Sequence, residues 1–502
     1  MPDKKKSPQT SPMKASAIDL QAHPKQIERT AAHARERGIT LPTFAQMRDP
    51  SLIPTKVKQE LKQVGLWDFH PLNLYRITWK NEPKAKGGGF GGVNFLELPS
   101  NLTGVKARIV GLIGKWFPTG AHKVGATYGC LVPRLVTGQF DPKKHQAAWP
   151  STGNFCRGGA YVSHLLGCAS IAILPEGMSK ERFQWLSKVA GEVIKTPGTE
   201  SNVWEIFQKC KELQATRPGV MIFDQFEEHG NHLWHYAVTG PAMGEVFGQI
   251  ARKGDRLAGV ALTSGSAGTL GSGDYVKDHF PLAKVAVGEA LECPTLLYAG
   301  FGAHRIEGIG DKHVPWVHNV RNTDLAVGID DERPMRLVRL FNEPVGQEFL
   351  AKEGVNASLV EQLPLLGISG IANLLTSIKL AKYYELGEKD VVFTVFTDSM
   401  DLYRSRVQEM RSELGRYTER DAVGDFQRYL LGTSIEHTLE LSHYDKRRVH
   451  NLKYFTWVEQ MGKSAEELNQ QWTDWPDYWD RIHRQADQID KLIEAFNAQV
   501  QR

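Results

Sequence analysis

The stretch Ser170-IAILPEGMSKERFQWLSKVAGEVI-Lys195 decides the fold. Ser170 to Leu174 is a short β-favouring run, and Glu192 to Lys195 is another. Between them Ser179 stands where a helix wants its N-cap, and Phe183, Leu186 and Ala190 recur at helical spacing. Gly191 sits where a helix C-terminus accepts positive φ. Strand, helix and strand in so short a span make a βαβ unit, whose strands run parallel. Working outward, Ser201 opens a second helix with Val203, Phe207, Cys210 and Leu213 on one face, and Val220 to Phe223 returns as strand. Gly259 to Leu262 is a further apolar run. Val391 to Phe396 reads as a strand buried on both faces, ending at Thr397, Asp398 and Ser399. Ligand sites of open α/β sheets lie at such strand ends. The fold class is therefore α/β, with a mostly parallel sheet.

The flanks differ in character. Met1 to about Ser16, with Lys4, Lys5 and Lys6, reads as a solvated tail, and Leu20 to Phe69 as amphipathic helical pieces. Gly87 to Gly92 marks a loop, and the compact body is expected to begin near Pro71. After about Ser405 long charged helical stretches lead to Trp457, Trp472, Trp475, Tyr478 and Trp479. These aromatics are expected to pack on the body or on a second subunit.

The 502 residues, 41% of them hydrophobic, suffice for several cores. Lys+Arg 61 against Asp+Glu 57 is too balanced to imply a nucleic-acid or membrane partner. No apolar stretch approaches the ~20 residues of a membrane span, and the polar start lacks the apolar run of a secretory signal, so the cytoplasm is expected. Cys130, Cys156, Cys168, Cys210 and Cys293 are odd in number and widely spaced, which argues for core thiols in a reducing compartment. His229, His232 and His235 lack a regular ligand spacing and read as polar groups at the mouth of a cleft, so no metal is expected.

Several short segments carry chemistry. Lys123, ending Trp116-Phe-Pro-Thr-Gly-Ala-His-Lys123, precedes Val124, Tyr128, Leu131 and Leu135 at helical spacing. A cation at a helix N-terminus opposes the macrodipole, and a lysine condensed with an aldehyde or deprotonated by burial escapes that penalty. Ser151-Thr152-Gly153-Asn154 is a tight turn that offers N–H groups to an anion and an amide to a phenolate-like oxygen. Thr263-Ser-Gly-Ser-Ala-Gly-Thr269 ends an apolar run and opens a helix, which suits a phosphate.

These segments resemble those of the fold type II pyridoxal-phosphate (PLP) enzymes. Thr119-Gly-Ala-His-Lys123 is similar to the lysine motif of tryptophan synthase β chains, and Ser151 to Asn154 to the substrate loop of cysteine synthases and cystathionine β-synthases. Thr263 to Thr269 resembles their phosphate loop, and His304-Arg-Ile-Glu-Gly-Ile-Gly310 with Val314-Pro315, Gly367-Ile-Ser-Gly370 and Thr397-Asp-Ser399 with Tyr403 resemble further segments. The resemblance implies two open twisted α/β domains with the cofactor in the cleft between them. Residues 71–115 and 240–405 would form the larger, 116–239 the smaller and mobile one, with extensions at 1–70 and 406–502. It further implies a Schiff base on Lys123, the ring hydroxyl at Asn154, and the phosphate on Gly265, Ser266, Ala267, Gly268 and Thr269. Ser399 would meet the pyridine nitrogen, with Asp398 as the alternative, and Ser151, Thr152, Gly153 and Phe155 would face the substrate. Ala267 stands where the family has glycine, and its methyl is tolerated only at negative φ.

The implied reaction is β-elimination or β-replacement on an amino acid with a β leaving group, through an aminoacrylate, with Lys123 as base. Cysteine synthesis is the nearest named reaction. Tryptophan synthesis is disfavoured, because Trp149-Pro-Ser-Thr-Gly-Asn154 has no glutamate ahead of the loop. A threonine-synthase- or dehydratase-like lyase and an inert PLP-binding relative are the alternatives. A homodimer is also implied.

Overall fold

The apolar runs become two sheets. The computed structural model describes residues 18–83, 88–151, 153–198, 203–310 and 312–502. The expectations for Met1 to Ser16, Gly87, Thr152 and Ser201 lie outside the described residues. In chain order the strands are β1 (Phe95–Leu98), β2 (Arg108–Ile113), β3 (Gln146–Pro150), β4 (Ala169–Pro175), β5 (Glu192–Thr196), β6 (Val220–Ile222), β7 (Arg256–Thr263), β8 (Lys284–Ala290), β9 (Leu325–Ile329), β10 (Asp390–Phe396) and β11 (Thr438–Glu440). The helices that bear on the site are α1 (Pro24–Glu36), α2 (Phe44–Arg48), α3 (Lys123–Val136), α4 (Asn154–Leu165), α5 (His229–Trp234), α6 (Leu270–His279), α7 (Ile368–Tyr383), α8 (Asp477–His483) and α9 (Gln485–Val500).

Strands β3 to β6 form a four-stranded parallel sheet in the order β5-β4-β3-β6. The others form a seven-stranded sheet, β1-β2-β10-β7-β8-β9-β11, parallel inside and antiparallel at both edges. Strand β10 is buried along its whole length, as its uniform apolar run requires.

The βαβ reading of 170–195 holds in type but not in its caps. The intervening helix is Lys180–Leu186, and the Ser179 side chain makes no capping bond. Its last turn closes by Ala190 N–H donating to Leu186 O, and Gly191 is not left-handed, so the glycine is not needed as a C-cap. The C-terminal extension is not wholly helical: β11 pairs antiparallel with β9 and covers that edge of the sheet. Trp457, Tyr478 and Trp479 are buried within this chain, and Trp457 Nε1 donates to Val314 O at 2.8 Å. All five cysteines are buried, and none forms a disulfide. Among the described residues no single helix is long and apolar enough to cross a membrane.

Packing does not begin at Pro71. Ala31, Ala34, Ile39, Leu41, Phe44 and Met47 enter the same core as Tyr128 and Leu131 of α3 and Ile489, Ile493 and Phe496 of α9. Polar contacts fasten the two ends: Leu41 N–H donates to Asn497 Oδ1 at 2.9 Å, and Asn497 Nδ2 returns a bond to Leu41 O at 2.8 Å. Asp490 accepts from the N–H groups of Phe44 and Ala45 at 2.6 and 3.0 Å. Phe44 meets Tyr128 edge-on, with ring centroids 6.5 Å apart. Phe44→Ala is therefore expected to cost about 3–5 kcal/mol, as for a buried core aromatic. Thermal unfolding would register it as a clear fall in midpoint, whereas a separately packed N-terminal segment would leave the main transition in place.

Candidate active site

The larger sheet opens where its central strands end. β7 and β10 pair, with a register shift after Val391, only as far as Val260 and Phe393. Beyond that point Thr394 Oγ1 donates to Ala261 O at 2.6 Å. Asn373 of α7 fills the remaining gap, accepting from Thr263 N–H and donating to Val395 O, each at 2.6 Å. One amide thus satisfies two peptide groups that the parting strands would leave bare.

Into this opening face the ends of β3, β7 and β10 and the start of α3. A single cavity is lined by Lys123, Ser151, Asn154, Phe155, Gly265, Ser266, Ala267 and Thr269. Gln225, Thr263, Gly308, Ile309, Asn373 and Thr397 complete its wall. Sequence reading missed Gln225 and Asn373, which lie outside any motif. Of the anticipated residues that the structure describes, Gly153, Gly268, Asp398 and Ser399 are not on the wall.

Lys123 is the first residue of α3, and its Nζ donates to Ser266 Oγ at 2.8 Å. Asn231 of α5 donates to the same hydroxyl at 3.0 Å and to Gln225 O at 2.9 Å. Among the described residues the N–H groups of Gly265, Ser266, Ala267, Gly268 and Thr269 find no acceptor. Five unpaired donors at a strand end ahead of α6 make a cradle for an anion.

Ala267 does not have the negative φ expected of it. Its φ is +59°, in the left-handed region, so the loop keeps the shape a glycine would take and bears the methyl as strain. At Gly268 a Cβ would stand 2.0 Å from Asn231 Oδ1, so that position has no room for a side chain.

On the opposite wall Asn154 begins α4, and its Oδ1 has no partner. Its Nδ2 donates to Asp398 Oδ2 at 2.6 Å. Tyr403 OH donates to the same oxygen at 2.7 Å and accepts from Arg182 Nη2 at 2.9 Å. Arg182 Nη1 pairs with Glu307 at 2.8 Å. This buried chain joins residues of three separate sequence motifs through Arg182. It also explains Gly153, whose Cβ would come within 2.5 Å of Arg182 Cζ. Burial raises the Asp398 carboxyl above its usual range, against the pull of Arg182, Asn154 and Tyr403.

Behind Lys123, His122 is fully buried, its Nε2 3.3 Å from Thr397 Oγ1. Burial, and then the Lys123 charge, hold that imidazole well below its usual range, so it is neutral. His229, His232 and His235 are buried and none lines the cavity, which corrects their placement at a cleft mouth. The reason is that α5 packs its whole circumference between α3 and the C-terminal extension.

The residues present fit PLP: a lysine, a row of unpaired N–H donors and an unpartnered amide oxygen share one cavity. A family model described as "Pyridoxal-phosphate dependent enzyme" matches residues 117–398. The chain belongs to this family, and its cofactor is pyridoxal phosphate. It is 29% identical over 289 residues to a probable cysteine synthase of Bacillus subtilis, covering 57% of this chain and 85% of that protein. It is 26% identical over 323 residues to cystathionine beta-synthase of Saccharomyces cerevisiae, covering 62% of this chain and 59% of that one. Among solved structures, an O-acetylserine dependent cystathionine beta-synthase from Helicobacter pylori shares the fold with a TM-score of 0.52 at 24% identity, over 62% of this chain and 94% of that one. A hydrogen sulfide-producing enzyme from Fusobacterium nucleatum aligns with a TM-score of 0.53 at 23% identity, over 69% of this chain and 95% of that one. The fold is that of the fold type II PLP enzymes.

Two neighbouring substitutions in the loop should act oppositely. Gly268→Ala drives a methyl into Asn231 and is expected to cost about 1–3 kcal/mol, as overpacking does. Ala267→Gly relieves about 1–2 kcal/mol of left-handed strain against a smaller entropic loss, so stability should hold or rise slightly. Thermal midpoints of the two purified variants check both signs.

Proposed function

We propose that this enzyme catalyses β-replacement or β-elimination on an amino acid with a β leaving group, as a cysteine-synthase-like transferase or lyase, with Lys123 holding the cofactor. The observation that carries the reading is the meeting of Lys123 Nζ, the unpaired N–H row of Gly265 to Thr269 and the Ser151 to Asn154 turn around one cavity. Bound there, PLP supplies an aldehyde that condenses with amines and a ring that withdraws electrons from the substrate's α carbon.

Each side chain then has a part. The N–H groups of 265–269, with the Ser266 and Thr269 hydroxyls, hold the phosphate. Asn154 faces the ring hydroxyl, and Ser151, Thr152 and Gly153 are assigned to the substrate carboxylate, with Phe155 narrowing the space beside it. Lys123 would hold the cofactor's aldehyde carbon and, once released, its Nζ would take the α proton as general base, with Ser266 Oγ as an acceptor for its ammonium form. Closure of a smaller unit, 116–239, on a larger one, 71–115 and 240–405, excludes water from that exchange. In support, the cavity wall draws residues from both sheets.

Ser399 is assigned to the ring nitrogen, with Asp398 as the alternative. The Asp398 carboxylate is already engaged by Asn154 and Tyr403, and neither Asp398 nor Ser399 is on the cavity wall. A hydroxyl partner permits a neutral ring, a weaker electron sink, and the preference for β chemistry rests on that and on the cysteine synthase relatives. A cytoplasmic homodimer is part of the same reading. Tyr298 and Phe301, 58% and 74% exposed, leave apolar surface for a second subunit, and light scattering tests it.

The first test is the visible spectrum of the purified protein before and after borohydride. The cofactor band should bleach, and the reduced label should map to the peptide carrying Lys123. Lys123→Ala should lose the band and at least about 10³-fold of turnover with an O-acylated serine and sulfide. A label elsewhere would overturn the assignment. The ring-nitrogen assignment has its own test: Ser399→Ala should shift the cofactor band while Asp398→Asn leaves it in place, and the reverse pattern would favour Asp398.

A further inference from the structure

Away from the cavity, three buried side chains aim one atom each at a common point. They are His232 Nε2 on α5, Asp274 Oδ2 on α6 and His483 Nε2 on α8. We propose that this cluster is a metal site for a divalent cation of the zinc class, fastening the C-terminal extension to the helix behind the phosphate loop.

The two rings stand within hydrogen-bond reach of each other, and the distances of all three atoms also suit a shared metal ion. The two imidazole nitrogens are 3.1 Å apart, and Asp274 Oδ2 lies 3.4 Å from His232 and 3.7 Å from His483. A carboxylate bonded to an imidazole N–H sits at about 2.7–2.9 Å, so neither histidine satisfies Asp274 in that way. Ligand atoms around a tetrahedral zinc, each 2.0–2.1 Å from the metal, stand about 3.3 Å from one another. The point equidistant from these three atoms lies about 2.0 Å from each, which is a zinc bond length.

The chemistry agrees. Two imidazoles and a carboxylate form a borderline-soft donor set that zinc accepts, leaving a fourth tetrahedral position to water. The ligands are held from outside: Asn319 Nδ2 donates to Asp274 Oδ2 at 2.9 Å and Asn322 Nδ2 to Oδ1 at 2.8 Å. The His483 ring lies stacked on Tyr236, with centroids 3.7 Å apart. All three side chains are at most 7% exposed. No spacing rule could find such a site, since His232 and His483 are 251 positions apart and the triplet at 229–235 contributes one ligand only.

The placement gives the cation a task. Asp274 lies on α6, which begins directly after Thr269, and His483 belongs to the extension. A bound cation would lock α8 against α5 and α6, the two helices that carry Asn231 and follow the cradle.

The test uses the full chain, stripped with a chelator and titrated with Zn²⁺ alone. The expected result is about one zinc per chain by mass spectrometry and zinc-edge absorption showing two imidazoles and oxygen at about 2.0–2.1 Å. Chelation should lower the thermal midpoint by several degrees, reversibly with zinc. His483→Gln should weaken zinc binding by at least about 100-fold and abolish the zinc-dependent shift. Should that variant fail to fold, the absorption spectrum of the unaltered chain decides alone. Retention below about 0.1 equivalent, a spectrum without imidazole ligands, or wild-type affinity in His483→Gln would each overturn the proposal. None of these readouts involves the cofactor or turnover, so the outcome is independent of the proposed reaction.

Discussion

The buried guanidinium of Arg182 holds the two sheets to one geometry. It comes from the helix between β4 and β5 of the smaller sheet, yet its partners are Glu307 and Tyr403, which follow strands of the larger one. Through Tyr403 it reaches Asp398, and through Asp398 the amide of Asn154. Removing a charge from water costs several kcal/mol, and such a pair persists only where its remaining bonds are made. The relative position of β3 and β10 is therefore tied to a few hydrogen bonds, and with it the width of the cavity between them.

The second constraint is the parting of β7 from β10. A parallel sheet cannot present a crevice without leaving peptide groups unpaired, and Asn373 answers that cost from a helix with no other visible part in the site. Nothing in the local sequence marks this asparagine, because its task exists only once three elements meet.

That contrast measures what the sequence could tell. The strands at Ser170 to Leu174 and Val391 to Phe396 were legible because apolar runs of their length have few other uses. Lys123, Asn154 and the 263–269 loop were legible as wording, and all three reach one cavity. The caps around 170–195 failed because tertiary packing, not the cap, ends that helix. β11 was hidden inside charged helical sequence, where three residues suffice to cover a sheet edge. Asn231, Gln225 and the pairing of Arg182 with Glu307 and Tyr403 were illegible for the same reason as Asn373: they are defined by distance in space rather than in sequence. The sign of φ at Ala267 was open to reading, but the loop kept its shape and the residue took the strain.

The clasp between Leu41 and Asn497 bears on how the protein is made. Helix α3, which starts at Lys123, rests on α1, α2 and α9, and the clasp that closes this packing spans 456 positions of chain. Helices α1 and α2 must therefore wait, with their apolar faces uncovered, until that distant stretch is synthesised. Assembly of the lysine's helix is then late, and a growing chain has reason to depend on holding factors until α9 arrives.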